Sequence, residues 1–335
     1  MRFEVDELTL LGGVRHGRTL GSPVAIEIAN TEWPKWEQEM SPAPGRTEKP
    51  LHQPRPGHAD LPGMQKYGFS DARDVLERAS ARETAARVAA GAVAKLLLAE
   101  IGIGILSHVV QMGPVAPKSQ GRPRMSDLAT VDESQVRCFD PEAEAAMIAE
   151  IKAAAKVGDS LGGVVEVIGY GVPVGLGSHV HWDRKLDGLL GQAFLSIQAV
   201  KGVEIGDAMD VAGRRGSEAH DAIGWDASLG YVRDTNWSGG IEGGMTNGQP
   251  VVARVAMKPL ATLNRPTLKT VDVVTKEETV SFKERTDVTA VPAMGVVAET
   301  MMALVLAGEA LRKFGGDSVG EMVRNHDSYL QSLSS

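Results

Sequence analysis

Residues 71–99, DARDVLERASARETAARVAAGAVAKLLLA, form the strongest helical pattern in the sequence. No proline interrupts them, and alanine, the best helix former, is their commonest residue. What surrounds this helix is mixed. RFEVDELTLLGGVRHGRTLGSPVAIEIAN (2–30) alternates as a hairpin of two strands around a glycine-rich turn. IGIGILSHVVQMG (101–113) reads as a buried strand, and GGVVEVIGYGVPVGLG (162–177) as a second strand region. Between them Asp140 and Pro141 read as N-cap and first residue of a helix over 142–157, with acids in its first turn.

Further on, QAFLSIQAVKGVEIG (192–206) reads as helix running into strand, and VVARVAMKP (251–259) and TLKTVDVVTKEETVSF (267–282) carry strand patterns. AMGVVAETMMALVLAGEALRKFGG (293–316) is a buried helix ending in glycine, and SVGEMVRNHDSYLQSL (318–333) a last helix. Helices and strands alternate without a regular βα period, and neither an internal repeat nor a low-complexity linker divides the chain. These patterns predict one α+β unit over 1–335 rather than two domains.

Aromatic residues make up only 4% of the chain, so valine, alanine, leucine and glycine must fill the core. The formal net charge of −8 argues against non-specific binding to nucleic acid or to acidic membranes. An anionic ligand would need arginines gathered locally. Cys138 is the only cysteine, which excludes an intramolecular disulfide and a cysteine-based metal site. The opening MRFEVDELTLL lacks the marks of a signal peptide, and no uncharged apolar stretch reaches the length of a membrane span. A cytoplasmic protein is expected.

For several motifs the surrounding sequence decides the reading. GDSLG (158–162) and GDSVG (316–320) match a serine-hydrolase elbow, but that chemistry needs a strand before the serine and a helix after it. Ser160 has the reverse context, and Ser318 reads as a helix N-cap. HVHWD sets His179, His181 and Asp183 at alternate positions, as metal ligands on a strand or as a solvated turn. The usual nucleotide-binding glycine motifs are absent.

Four segments hold more. PRPGHAD (54–60) stiffens the backbone around His58, at the end of a proline-rich loop that starts at Thr31 and carries two tryptophans. In LERASARETAARVAAG (76–91), Arg78, Arg82 and Arg87 alternate with small residues. Arg78 and Arg82 repel at i,i+4 spacing unless an anion lies between them, while Glu83 and Arg87 attract. KERTDVTAVPAMG (283–295) places Arg285 beside Asp287 before a helix, and the glycines of GGIEGGMTNGQP (239–250) can line a planar ligand.

Taken together, RPGHAD with KYG, ERASARETAARVAAG, GDSLGGVVEV, IQAVKGVEIGD, RGSEAHD, GGIEGGMTNGQP, KP at 258–259 and RTDVTAVPAMGVVAET resemble the chorismate synthase family, in the family's order. The resemblance implies a single-domain β-α-β sandwich with long helices between antiparallel sheets, assembled as a homotetramer, with 31–57 as a long active-site loop. It implies an anti-1,4-elimination of phosphate from 5-enolpyruvylshikimate 3-phosphate, giving chorismate, with reduced FMN as cofactor and NADPH as reductant in some members. His58 resembles the histidine that manages a proton at flavin N1, and Asp287 the aspartate that acts with flavin N5 in removing the C6 proton. Arg55, Ser80, Arg82 and Arg285 are implied to bind substrate. The implied FMN contacts are His58, the triplet Arg78, Ala79 and Ser80, then Gln198 and Ala199, Gly243, the run Lys258, Pro259, Leu260, Ala261 and Thr262, and Arg285.

The sequence departs from the family pattern in places. The family's G-x-S-H-G segment and the arginine-rich stretch after it, which carry a phosphate-binding histidine and substrate-binding arginines, do not precede the strand that opens this sequence. The expectation is a domain shortened at its N-terminus, with Met1 either an internal methionine or a true start. GVRHG (13–17) imitates that segment but occupies the place of the next hairpin, so His16 is not given the role. Thr286 and Ala261 are smaller departures. Two other readings follow: an FMN-binding scaffold impaired in catalysis, and a metal-dependent enzyme built on HVHWD.

Overall fold

The computed structural model describes residues 6–118, 121–228, 230–265, 267–282 and 286–333. It gathers into two compact units, each built from separated stretches of chain. The first comprises Met1–Ala86, Ala154–Ser160 and Leu260–Val288, and the second Arg87–Ala153, Leu161–Pro259 and Thr289–Ser335.

In the first unit the opening hairpin forms as the alternation predicts. Strand Leu8–Gly12 pairs antiparallel with Ala25–Ile28, and inside it Val14–Arg15 pairs with Arg18–Thr19. His16 and Gly17 sit in its turn at φ 50° and 74°, the positive values that a two-residue hairpin turn requires. His16 is therefore an exposed turn residue.

The proline-rich loop carries one 3-10 turn, Trp33–Lys35, and is strapped down along its length. The Trp36 ring lies under the Arg73 guanidinium at 4.9 Å. Leu51 N donates to Asp71 Oδ1 at 3.0 Å, and Ala72 N to Leu51 O at 2.9 Å. Thr270 Oγ1, in the hairpin of Lys269–Val271 with Glu278–Val280, donates to Pro54 O at 2.6 Å. These bonds hold the backbone on either side of Arg55 and His58.

The single helix expected over 71–99 is in fact broken. Helix Arg73–Ala79 ends at Ser80, which is extended at φ −63° and ψ 136°, and the chain restarts as the 3-10 turn Ala81–Glu83 before helix Thr84–Ala99. The cause is local: Ser80 Oγ accepts from Arg82 N at 3.2 Å, so the serine caps a new helical start. Arg78 and Arg82 consequently do not share a continuous helical turn.

The second unit is built on a four-stranded antiparallel sheet in the order Gly104–Met112, Gly163–Tyr170, Val251–Met257, Val200–Ile205. Helix Val291–Phe314 packs on it and buries Met294, Val297, Ala298, Met302 and Leu306. By length and composition this helix could cross a membrane, but 61% of its most apolar window is buried inside the protein, so it is the core helix. Fully buried Phe194, Leu190, Met302 and Leu306 each contribute about 1.5–3 kcal/mol by leaving water. Helix Pro141–Val157 starts as expected, with Asp140 Oδ1 accepting from Glu142 N and Ala143 N. Ser318 likewise caps helix Val319–Leu333, and Glu321 answers from within it.

One row of charged residues crosses this sheet in register: His108 opposite Glu166, Glu166 opposite Arg254, Arg254 opposite Glu204. Glu166 is buried and accepts from Arg122 Nε at 3.0 Å and Arg254 Nε at 3.1 Å, with His108 Nε2 at 3.3 Å. Burial pushes its carboxyl up, but His108 and Arg122 outweigh that and bring it down to about 2. The mixture of helices with antiparallel sheets is the α+β class expected from the sequence.

Candidate functional site

A densely hydrogen-bonded polar cluster of the first unit lies in PRPGHAD. Asp60 opens helix Asp60–Tyr67 and is fully buried. Its Oδ2 accepts from Arg55 N at 3.0 Å and Arg55 Nε at 2.9 Å, and its Oδ1 from Arg55 Nη2 at 3.1 Å. His58 Nδ1 lies 2.5 Å from the same Oδ1. Gly57, at φ 74°, turns the chain so that residues 55, 58 and 60 can all face inward. Burial alone would raise the Asp60 carboxyl. The hydrogen bonds from His58 and Arg55 win, and hold it well below the usual carboxylate range.

Arg55 is 6% exposed and its guanidinium is engaged on several sides. Nη1 donates to Thr262 Oγ1 at 3.0 Å, and the Phe282 ring lies 5.4 Å beneath. Nη2 lies within 3.1 and 3.3 Å of the two ring nitrogens of His58. The first unit thus brings together Arg55, His58 and Thr262, which the sequence singled out, and Asp60, which it did not. The available signal was the His-x-Asp spacing at a helix start, where a carboxylate is favoured by the helix dipole.

Arg78 is exposed in the last turn of its helix. Arg82 Nη1 pairs with Asp6 at 2.8 Å, and its Nη2 donates to Ala29 O at 3.1 Å, so a carboxylate already sits on this guanidinium. Asp287 is exposed, and Thr286 beside it accepts at its carbonyl from Asn264 Nδ2 at 3.2 Å. Arg285 lies outside the described residues. Ser160, between helix and strand as expected, donates from Oγ to Leu260 O at 2.8 Å.

In the second unit two of the implied cofactor segments meet. Ala199 adopts φ 64°, a left-handed conformation rare for a residue with a side chain, and its carbonyl accepts from Lys258 N at 3.0 Å. That one bond sets Gln198 and Ala199 beside Lys258 and Pro259. Burial first, and then the like charge of Lys201, push the Lys258 ammonium below its usual range, and a bound anion would relieve the repulsion. Arg87 is engaged with a distant segment, donating to Ser196 Oγ at 2.7 Å and to Ser196 O at 3.2 Å. Gly243 is exposed in the short hairpin Ile241–Glu242 with Met245–Thr246, and a Cβ built there would find only Met245 Cε, at 4.0 Å. A flat ligand can approach that backbone. Each unit by itself carries donors that suit an anion: Lys258 beside Lys201 in the second, and the Arg55–His58 cluster in the first.

HVHWD forms the exposed turn around Trp182–Arg184, with His179, His181 and Asp183 all exposed. Among the described residues no three His, Cys, Asp or Glu side chains gather as a metal site would require.

Comparisons with known proteins agree with one another. The family model described as chorismate synthase matches residues 1–311. A protein named chorismate synthase from Thermobifida fusca is 58% identical over 343 residues, covering 99% of this chain and 87% of the relative. One of the same name from Mycolicibacterium smegmatis is 57% identical over 341 residues, covering 99% and 85%. A crystal structure of chorismate synthase matches with a TM-score of 0.80 and 42% identity, over 98% of this chain and 85% of that one.

Proposed function

The chain belongs to the chorismate synthase family, carbon–oxygen lyases that act on a small molecule, and we propose that it converts 5-enolpyruvylshikimate 3-phosphate to chorismate and phosphate with reduced FMN. The reaction breaks the C3–O bond to phosphate and the C6–H bond, with no net oxidation. Reduced FMN, when bound, would supply transient electron density to the substrate, and the residues named below would hold the flavin. The observation that carries the reading is the pairing of buried Arg55 and Asp60 with His58, which holds a part-exposed imidazole at the motif where the family keeps its flavin-side histidine.

Each residue then has its task. His58 gives and takes the proton at flavin N1, and Asp287 takes part in removing the C6 proton. Arg55, Arg82 and Arg285, with Ser80, face the phosphate and carboxylates of the substrate. For Arg82 this means exchanging the carboxylate of Asp6 for one of the substrate's. Fixed positive charges act most strongly on such anions where water is excluded. Arg78, Ala79, Ser80, Gln198, Ala199, Gly243 and the run Lys258 to Thr262 hold the cofactor.

The proposal includes a cytoplasmic homotetramer, with NADPH only as a reductant. The hairpin of Ile223–Asp226 with Gly230–Arg233 supports assembly, since Ile223, Trp225 and Tyr231 are 65%, 64% and 73% exposed. Light scattering checks the mass. The function is tested in a bacterial strain lacking its own chorismate synthase. Expression of this chain restores growth without aromatic amino acids if the reading holds, and leaves the strain dependent on them if it does not.

A further inference from the structure

We propose that Asp60 is a positioning residue for proton transfer: by accepting from His58 Nδ1 it fixes the imidazole as the Nδ1–H tautomer, leaving Nε2 as the nitrogen that takes and releases the proton. The inference rests on the role given to His58 above, but concerns this chain's own residues and can be tested with no cofactor bound.

Its geometry is simple. An ionised carboxylate only accepts, so the 2.5 Å contact from His58 Nδ1 to Asp60 Oδ1 places the hydrogen on Nδ1. Arg55 Nη2 only donates, so of its two approaches to the ring only the one to Nε2, at 3.3 Å, can be a hydrogen bond in the neutral form. The approach to Nδ1 at 3.1 Å is then a packing contact. Asp60 cannot turn away, because Arg55 N and Nε both hold its Oδ2. The imidazole is 22% exposed while Asp60 is 0% exposed, so the orienting group is sealed and the ring edge is reachable. A histidine whose second nitrogen is held by a buried carboxylate has one defined nitrogen for its reaction partner, which here displaces the 3.3 Å contact from Arg55 Nη2.

The alternative is that Asp60 serves only as the counter-charge that lets Arg55 be buried. Asparagine separates the two ideas. In Asp60→Asn the amide oxygen takes the Oδ2 position, where two Arg55 donors meet it, and the amide NH2 falls at the Oδ1 position, giving up the single bond from Arg55 Nη2. It then donates to Nδ1 and forces the proton to Nε2.

The measurement is nitrogen NMR of 15N-histidine-labelled protein without flavin, the His58 signals being assigned by their loss in His58→Gln. The wild type is expected to show protonated Nδ1 and bare Nε2, and Asp60→Asn the reverse. With photoreduced FMN and 5-enolpyruvylshikimate 3-phosphate, Asp60→Asn is expected to lose roughly 10²–10⁴-fold in kcat, the range of a general acid–base contribution, with KM nearly unchanged. A wild-type ring protonated on Nε2, or in rapid exchange between tautomers, overturns the inference even if the variant fails to fold. So does an Asp60→Asn enzyme with full kcat. An inverted tautomer in a chain whose wild type makes no chorismate would uphold the positioning and sink the functional reading instead.

Discussion

Arg55 Nη1 donates to Thr262 Oγ1 at 3.0 Å across 207 positions of sequence, joining RPGHAD to the segment that follows KP. Removing the hydroxyl while keeping the shape, in Thr262→Val, leaves a donor of a buried guanidinium without this acceptor. The expected cost is about 1–2 kcal/mol, read as a lower urea midpoint with an unchanged slope, and Thr262→Ser should recover most of it.

Gly91 sets helix propensity against packing. An added Cβ would lie 2.2 Å from Thr300 Cβ and 2.8 Å from Thr300 Cα, and backbone cannot swing aside as a side-chain tip can. Alanine gains about 1 kcal/mol in an exposed helix, but overpacking costs about 1–3 kcal/mol. Gly91→Ala is therefore expected to destabilise. Gly308, in the long helix with nothing within 4 Å of its built Cβ, supplies the control: Gly308→Ala should stabilise by up to about 1 kcal/mol. Thermal unfolding of both variants decides.

Glu166 makes acid stability predictable in sign. Its folded carboxyl is brought down to about 2, below the ordinary value of about 4.3 that it regains on unfolding. A depressed carboxyl contributes its full stability above the unfolded value and loses it as pH falls towards the folded one. Unfolding free energy should therefore decline from about pH 4.5 to pH 2. Asp60 acts in the same direction. Comparing the wild type with Glu166→Gln isolates Glu166: the variant should be less stable at pH 7 and show a shallower decline in acid, as followed by urea unfolding at stepped pH.

Ser80 tests the helix break. Its hydroxyl caps the turn that starts at Ala81 by accepting from Arg82 N. Ser80→Ala should cost about 1 kcal/mol, and Ser80→Asp, which can cap as well, should restore it. Equal stability of all three by urea titration would mean that the break is set by packing rather than by the cap.

Much of this architecture was legible in the sequence. The strands at 104–112, 163–170 and 251–257 and the helix at 291–314 carry apolar patterns long enough to be read directly, and Asp140 and Ser318 cap where their side chains suggest. The break at Ser80 was not, because alanine-rich flanks on both sides outweigh one serine in any propensity sum, while its hydroxyl acts at a single bond. The site divides in the same way. His58 stood out through the prolines and glycine beside it. Asp60 did not, since an aspartate at a helix start is ordinary, and only the three-dimensional return of Arg55 onto both its oxygens makes it distinctive. The arginines were found by type, but their partners, Asp6 for Arg82 and Ser196 for Arg87, come from distant segments that no local pattern reveals.

The most direct test of the account is to incubate the purified chain without oxygen with photoreduced FMN and 5-enolpyruvylshikimate 3-phosphate, following chorismate absorbance and released phosphate together. The account predicts equal amounts of the two products, formed only when the flavin is reduced. Absence of both products under reduced flavin would contradict it.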